Sequence, residues 1–104
     1  MITIEKFQLK SSPDRASWTL SEGDLSFQFQ MKKIGDKWCV TSYIGGKNGD
    51  DKYSVKWLNN NNKAKWRIES KGKRNSNKSK EEMLNFISKC EEYLWDEYQI
   101  IFMD

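Results

Sequence analysis

The residue types that usually carry catalysis are scarce in this chain. It contains no histidine, which removes every mechanism that pairs a nucleophile with an imidazole. Cys39 and Cys90 are far apart and neither lies in a C-x-x-C pair, so the clustered Cys and His sets that hold zinc are missing too. Both cysteines read as small buried hydrophobes rather than as a disulfide. Asp50 and Asp51 are adjacent carboxylates without a catalytic companion, and no phosphate-cradling glycine motif is present. The reading is therefore of no enzyme, no metal and no cofactor.

Positive charge at regular spacing is the other chemistry on offer. In YSVKWLNNNNKAKWRIES, Tyr53 to Ser70, Lys56, Lys63, Lys65 and Arg67 fall in one step of a period-2 pattern. Tyr53, Val55, Trp57, Trp66 and Ile68 fall in the other. The segment KGKRNSNKSK continues the charge with Lys71, Lys73, Arg74, Lys78 and Lys80 and offers Asn75, Ser76, Asn77 and Ser79 as polar donors. Phosphate recognition needs just such groups. Residues 1–51 are electrically neutral, 52–80 carry +9 and 81–104 carry −6, within a net charge of +3. Blocks of this kind bear on partners rather than on fold.

Like charges side by side on a sheet oppose pairing, so the basic face is either a solvated edge or one that an anion neutralises. The ring expected to stack on a base is Tyr43, which alternation places out of phase with Trp38, Val40 and Ile44, on a polar face with Gln28, Gln30 and Thr41. Trp18, Trp38, Trp57 and Trp66 are in phase with the aliphatics and read as core.

The elements that must position these groups follow from periodicity. Ile2 and Ile4 alternate in one phase and Phe7 and Leu9 in the other, which predicts a bulge near Glu5–Lys6. Ala16, Trp18 and Leu20 alternate, then Leu25, Phe27, Phe29 and Met31. Gly35-Asp36 suits a tight hairpin that pairs Ile34 with Lys37, Met31 with Val40 and Phe27 with Ile44. Gly45 to Asp51 reads as a loop. With the four asparagines as a hairpin loop, Leu58 pairs with Lys63, Val55 with Trp66 and Lys56 with Lys65. Ser79 and Glu82 form a capping-box pattern, which predicts a helix over residues 80–97. Its apolar stripe is Met83, Leu84, Ile87, Cys90, Leu94 and either Trp95 or Tyr98. QIIFM is a last strand or a packed apolar tail.

The expected architecture is one α+β domain over residues 1–104: an antiparallel β-meander of five or six strands packed against one C-terminal α-helix. The run from Val55 to Ile87 resembles, in the order of its elements, the small single-stranded-DNA-binding coactivator fold. No apolar run is long enough to span a membrane and the N-terminus lacks signal-peptide character, so a cytoplasmic protein is expected.

Two functions are consistent with these residues. One is a non-enzymatic binding module. It would use Lys56, Lys63, Lys65, Arg67, Lys71, Lys73, Arg74 and Lys78, with Tyr43, on a polyanion, nucleic acid first. The alternative is a protein-binding inhibitor: a phage-encoded antagonist of a host or defence protein, such as an anti-CRISPR, or a toxin immunity protein. Its partner would be an acidic surface meeting the basic face, or a basic one meeting the helix at Glu81, Glu82, Glu91, Glu92, Asp96 and Glu97. The +9 and −6 blocks could also pair two copies in a homodimer.

Overall fold

Three Gly-Asp dipeptides turn the chain back on itself. Gly23, Gly35 and Gly49 have φ of 60°, 63° and 62°. The residues that flank each dipeptide pair directly: Glu22 with Leu25, Ile34 with Lys37 and Asn48 with Asp51. Positive φ at the first of two central residues is the pattern of a type II′ turn, whose twist matches that of antiparallel strands.

The computed structural model describes residues 1–60 and 63–102, with side chains described except at positions 44, 58–60 and 63–65. The strands are β1 (Thr3–Gln8), β2 (Arg15–Glu22), β3 (Leu25–Ile34), β4 (Lys37–Asn48), β5 (Asp51–Asn60) and β6 (Lys63–Ser70). Helix α1 (Asn77–Tyr98) and the short β7 (Ile101–Phe102) follow. β1 to β6 lie side by side in chain order, every neighbouring pair antiparallel. β7 adds parallel to β4 at Cys39 and Val40. The protein is thus an α+β fold, an antiparallel meander packed against one C-terminal helix, and the apolar tail supplies a last strand.

One sheet face and one helix face bury each other. Leu20, Phe27, Phe29, Met31, Val40, Tyr53 and Val55 meet Met83, Phe86, Ile87, Cys90 and Leu94 in a single core. Full burial of each large aliphatic or Phe side chain contributes about 1.5–3 kcal/mol. Trp66 donates its indole N–H to Glu91 Oε1 at 3.2 Å, and Lys89 Nζ donates to Glu22 Oε1 at 2.7 Å. These two bonds tie the helix to β6 on one side and to β2 on the other. Cys39 and Cys90 are both buried and both free thiols.

Several expectations need correction. β1 pairs with β2 without a bulge from Thr3–Ser21 to Gln8–Ala16. Lys6 holds the inward position there because its ammonium lies over the rings of Trp18 and Tyr98, 4.6 and 4.7 Å from their centroids. Phe7 is left outside, 62 % exposed. Residues 45–48, read as loop, complete β4, and only Gly49 and Asp50 turn. Gly45 there marks close backbone approach, since a Cβ on it would lie 2.6 Å from the Tyr53 carbonyl oxygen, and Gly46 leaves room for the Met83 side chain.

The helix begins earlier than the capping box implies. Its N-cap is Ser76, whose side chain accepts from the Ser79 N–H at 3.2 Å. Ser79 is buried instead. Its Oγ donates to Asp51 Oδ2 at 2.7 Å and accepts from the Tyr53 hydroxyl and from Asn48 Nδ2. The helix start is therefore fixed by the β4–β5 turn. Trp95, at 53 % exposed, and Tyr98 do not extend the buried stripe, which gains Phe86.

The β5–β6 hairpin is paired two residues away from the expected register. Trp57 faces Trp66, Lys56 faces Arg67, Val55 faces Ile68, and the ladder runs on to Asn60 opposite Lys63. A shift of two leaves every side chain on its face, so alternation does not distinguish the registers. The observed one brings the two indoles together, centroids 4.8 Å apart at 64°.

Candidate functional site

The sheet face turned away from α1 is uncovered. Inward and outward residues alternate along each strand, so the partners of the core residues define it. Arg15, Ser17, Thr19 and Ser21 line it on β2, and Ser26, Gln28, Gln30 and Lys32 on β3. Arg15 and Lys32, exposed cross-strand partners on β2 and β3, carry charge at one end of it, and further cation pairs lie on the later strands. Lys56 and Arg67 are cross-strand partners and both exposed. Lys47 and Lys52 are cross-strand partners on β4 and β5, again both exposed. Among the described residues, the ion pairs of this face come to Arg67 with Glu69 at 3.2 Å, an exposed pair of small energetic weight.

Lys71 joins the same surface. Its N–H donates to the Lys52 carbonyl at 2.8 Å, so the basic loop leaves β6 alongside the start of β5. Asn75 holds the far end of that loop. Its N–H donates to Ser70 Oγ and its Nδ2 to the Lys52 carbonyl, each at 3.2 Å. Lys73 and Arg74 are exposed between these anchors, and Lys78 is exposed in the first turn of α1. No acidic residue stands in that first turn and no basic one in the last. The helix thus has Lys78 and Lys80 at its positive end and Asp96 and Glu97 at its negative end, against its own dipole.

The structure accordingly brings Lys56, Arg67 and Lys71 onto one side of the sheet. Register places Lys65 opposite Leu58 and Lys63 opposite Asn60, while their side chains lie outside the described residues. Tyr43 is not on this face. Thr41 and Ile44 each lack a β3 partner, so β4 carries two single-residue bulges. The first reverses the alternation, and the same bulges put Gly46, not Ile44, opposite Phe27. Tyr43 consequently pairs with Phe29 and packs edge-on to Trp66 at 5.3 Å and parallel to Phe102 at 6.4 Å. It is a half-buried flank of the core.

Sequence reasoning missed Lys47 and Lys52. Lys52 is in step with Lys56, so the alternation from Tyr53 pointed to it. Lys47 was hidden by the reading of 45–51 as loop.

Among the described residues no group of His, Cys, Asp and Glu side chains could hold a metal ion. No helix among them is long and apolar enough to cross a membrane. Burial pushes the Cys90 thiol up to about 12, far from the range of a reactive thiolate. No protein family, curated protein or solved structure matches the chain.

Proposed function

We propose that this protein is a non-enzymatic binding module whose uncovered sheet face, with the basic loop after β6, binds a polyanion, nucleic acid foremost. The observation that carries the reading is the pairing of cation with cation on one open face, above all Lys47 with Lys52 and Lys56 with Arg67 on the later strands. Each pairing opposes strand association by itself, and a row of phosphates relieves both. Lys71, Lys73 and Arg74 extend the track from the start of β5, and Lys78 adds to it at the helix start. The face is rich in Ser, Thr and Gln, which suit backbone contacts rather than base stacking. Labelled single- and double-stranded oligonucleotides, run through a gel-shift series at low and physiological salt, test this. Binding at low salt that fades steeply supports it; free probe in every lane sinks it.

A second reading has its own observation. Trp95 and Ile101 are exposed, at 53 % and 41 %, and line one depression with Glu91, on a helix that also carries Glu92, Asp96 and Glu97. Large apolar groups rimmed by one sign of charge are typical of protein docking. In this reading the chain is an inhibitor of a basic protein partner, of the antagonist or immunity type, and works through the helix. A pull-down that retains one protein after nuclease treatment, and loses it in Trp95→Ala, supports this reading over the first.

A further inference from the structure

The outer sheet face carries a depression of about 250 Å³ between β4 and β5. Two adjacent rows of cross-strand neighbours build it. Thr19 lies opposite Gln28, and Gln28 opposite Gly45. In the next row Ser26 lies opposite Lys47, Lys47 opposite Lys52, and Lys71 bonds to the Lys52 backbone. The floor is low because Gly45 has no side chain. Its φ of 146° and its approach to β5, where a Cβ would stand 2.6 Å from the Tyr53 carbonyl oxygen, exclude any other residue. Beyond Gly46–Tyr53 the described β4–β5 ladder stops, which leaves one wall open.

We propose that this depression is a phosphate-binding site, with Lys47, Lys52 and Lys71 supplying charge and Thr19, Ser26 and Gln28 supplying neutral donors. Among the described residues, lysines and hydroxyl or amide side chains line it together with Gly45, Gly46 and Tyr53, and no carboxylate does. That is the chemistry of a site for a multiply charged oxyanion, not for a cation. Three lysines within one depression repel one another, and a bound dianion removes that repulsion. The inference rests on the polyanion reading and deepens it. It gives the nucleic-acid backbone a fixed seat at the β4–β5 junction, away from the β5–β6 hairpin tip. The same chemistry accepts a free phosphate.

Amide shifts of the labelled protein, followed through a titration with inorganic phosphate against sodium chloride of equal ionic strength, test the site. The expected result is a saturable movement of Gly45, Lys47, Lys52 and Lys71 with phosphate and none with chloride. Lys52→Gln should weaken the binding at least fivefold and Ser26→Ala about twofold. Lys10→Gln, which removes the same charge elsewhere, should change it less than twofold. Shifts spread over all the lysines, no shift, or equal weakening by Lys10→Gln overturn the site. Should Lys52→Gln alter the fold, Lys47→Gln serves in its place. A second arm with an oligonucleotide separates the two levels. Oligonucleotide binding that leaves Gly45 and Lys52 unmoved overturns the site and spares the face. Saturation by phosphate without oligonucleotide binding supports a small-anion site and removes the nucleic-acid reading.

Discussion

Lys56 and Arg67 face each other across the β5–β6 ladder, exposed on the side of the sheet that α1 does not cover. The inward neighbours, Trp57 and Trp66, hold the ladder together from the opposite side. The aromatic pair thus fixes the register that sets two cations side by side, and stability of the hairpin and charge of the face depend on the same pairing.

Replacing Lys56 by Gln should lower nucleic-acid affinity uniformly across sequences. It should also flatten the plot of log affinity against log salt by roughly 0.7 for a single strand. Fluorescence anisotropy at several salt concentrations measures both. Circular dichroism should show an unchanged fold, because the side chain is exposed.

Tyr43→Ala should act on stability instead of binding. The ring packs against Trp66 and Phe102, and its truncation should remove about 2–3 kcal/mol. Urea unfolding should show the loss, with the midpoint moved and nucleic-acid affinity of the folded protein kept.

The Ser79 hydroxyl is a junction for Asp51, Tyr53 and Asn48. Ser79→Ala strands the buried Tyr53 hydroxyl and should cost about 1–3 kcal/mol. Ser76→Ala removes the N-cap and should cost about 1 kcal/mol. Thermal unfolding of the two variants should rank them in that order. A larger loss at Ser76 would return the junction to a minor role.

Lys78→Glu should change stability and binding in opposite directions. A carboxylate in the first turn suits the helix dipole and should stabilise by about 0.3–1 kcal/mol, while the lost cation should weaken nucleic-acid binding. Thermal melts paired with anisotropy read the two signs.

Alkaline stability follows from Cys90. Its thiol titrates near 9 when unfolded and is pushed up to about 12 by burial in the fold. Between these values the unfolded chain releases a proton that the folded chain keeps. Stability is therefore intact below pH 9 and falls above it, by about 1.4 kcal/mol per pH unit from this group. Cys90→Ala should show a shallower decline between pH 9 and 11 in denaturant titrations.

Much of this fold was legible because period-2 alternation reports which face a residue takes. The hairpin at Gly35-Asp36 and the pairing of Met31 with Val40 both read directly from it. Alternation is blind to a slip of two, which is why Trp57 was not set against Trp66. It fails outright at a bulge, and a bulge at Thr41 carried Tyr43 inward. No local signal marked that bulge, and what the inward position offers Tyr43, contact with Trp66 and Phe102, comes from residues remote in sequence. Likewise, Ser79 resembled a cap by its spacing to Glu82, but Asp51 and Tyr53, remote in sequence, claim its hydroxyl. Part of the basic face was visible for the same reason. Lys56 and Arg67 sit in unbroken alternation, whereas Lys47 lies beyond two glycines that looked like the start of a loop.

Lysine acetylation, mapped by mass spectrometry with and without a bound single-stranded oligonucleotide, addresses the central claim most directly. The chain carries lysines on both faces of the sheet, so one experiment contains its own control. Lys47, Lys52, Lys56 and Lys71 should be protected by the oligonucleotide. Lys6, held over Trp18 and Tyr98, and Lys89, paired with Glu22, should react at unchanged rates. Protection centred on Lys6 and Lys89, or equal protection of every lysine, would contradict the assignment of the open face.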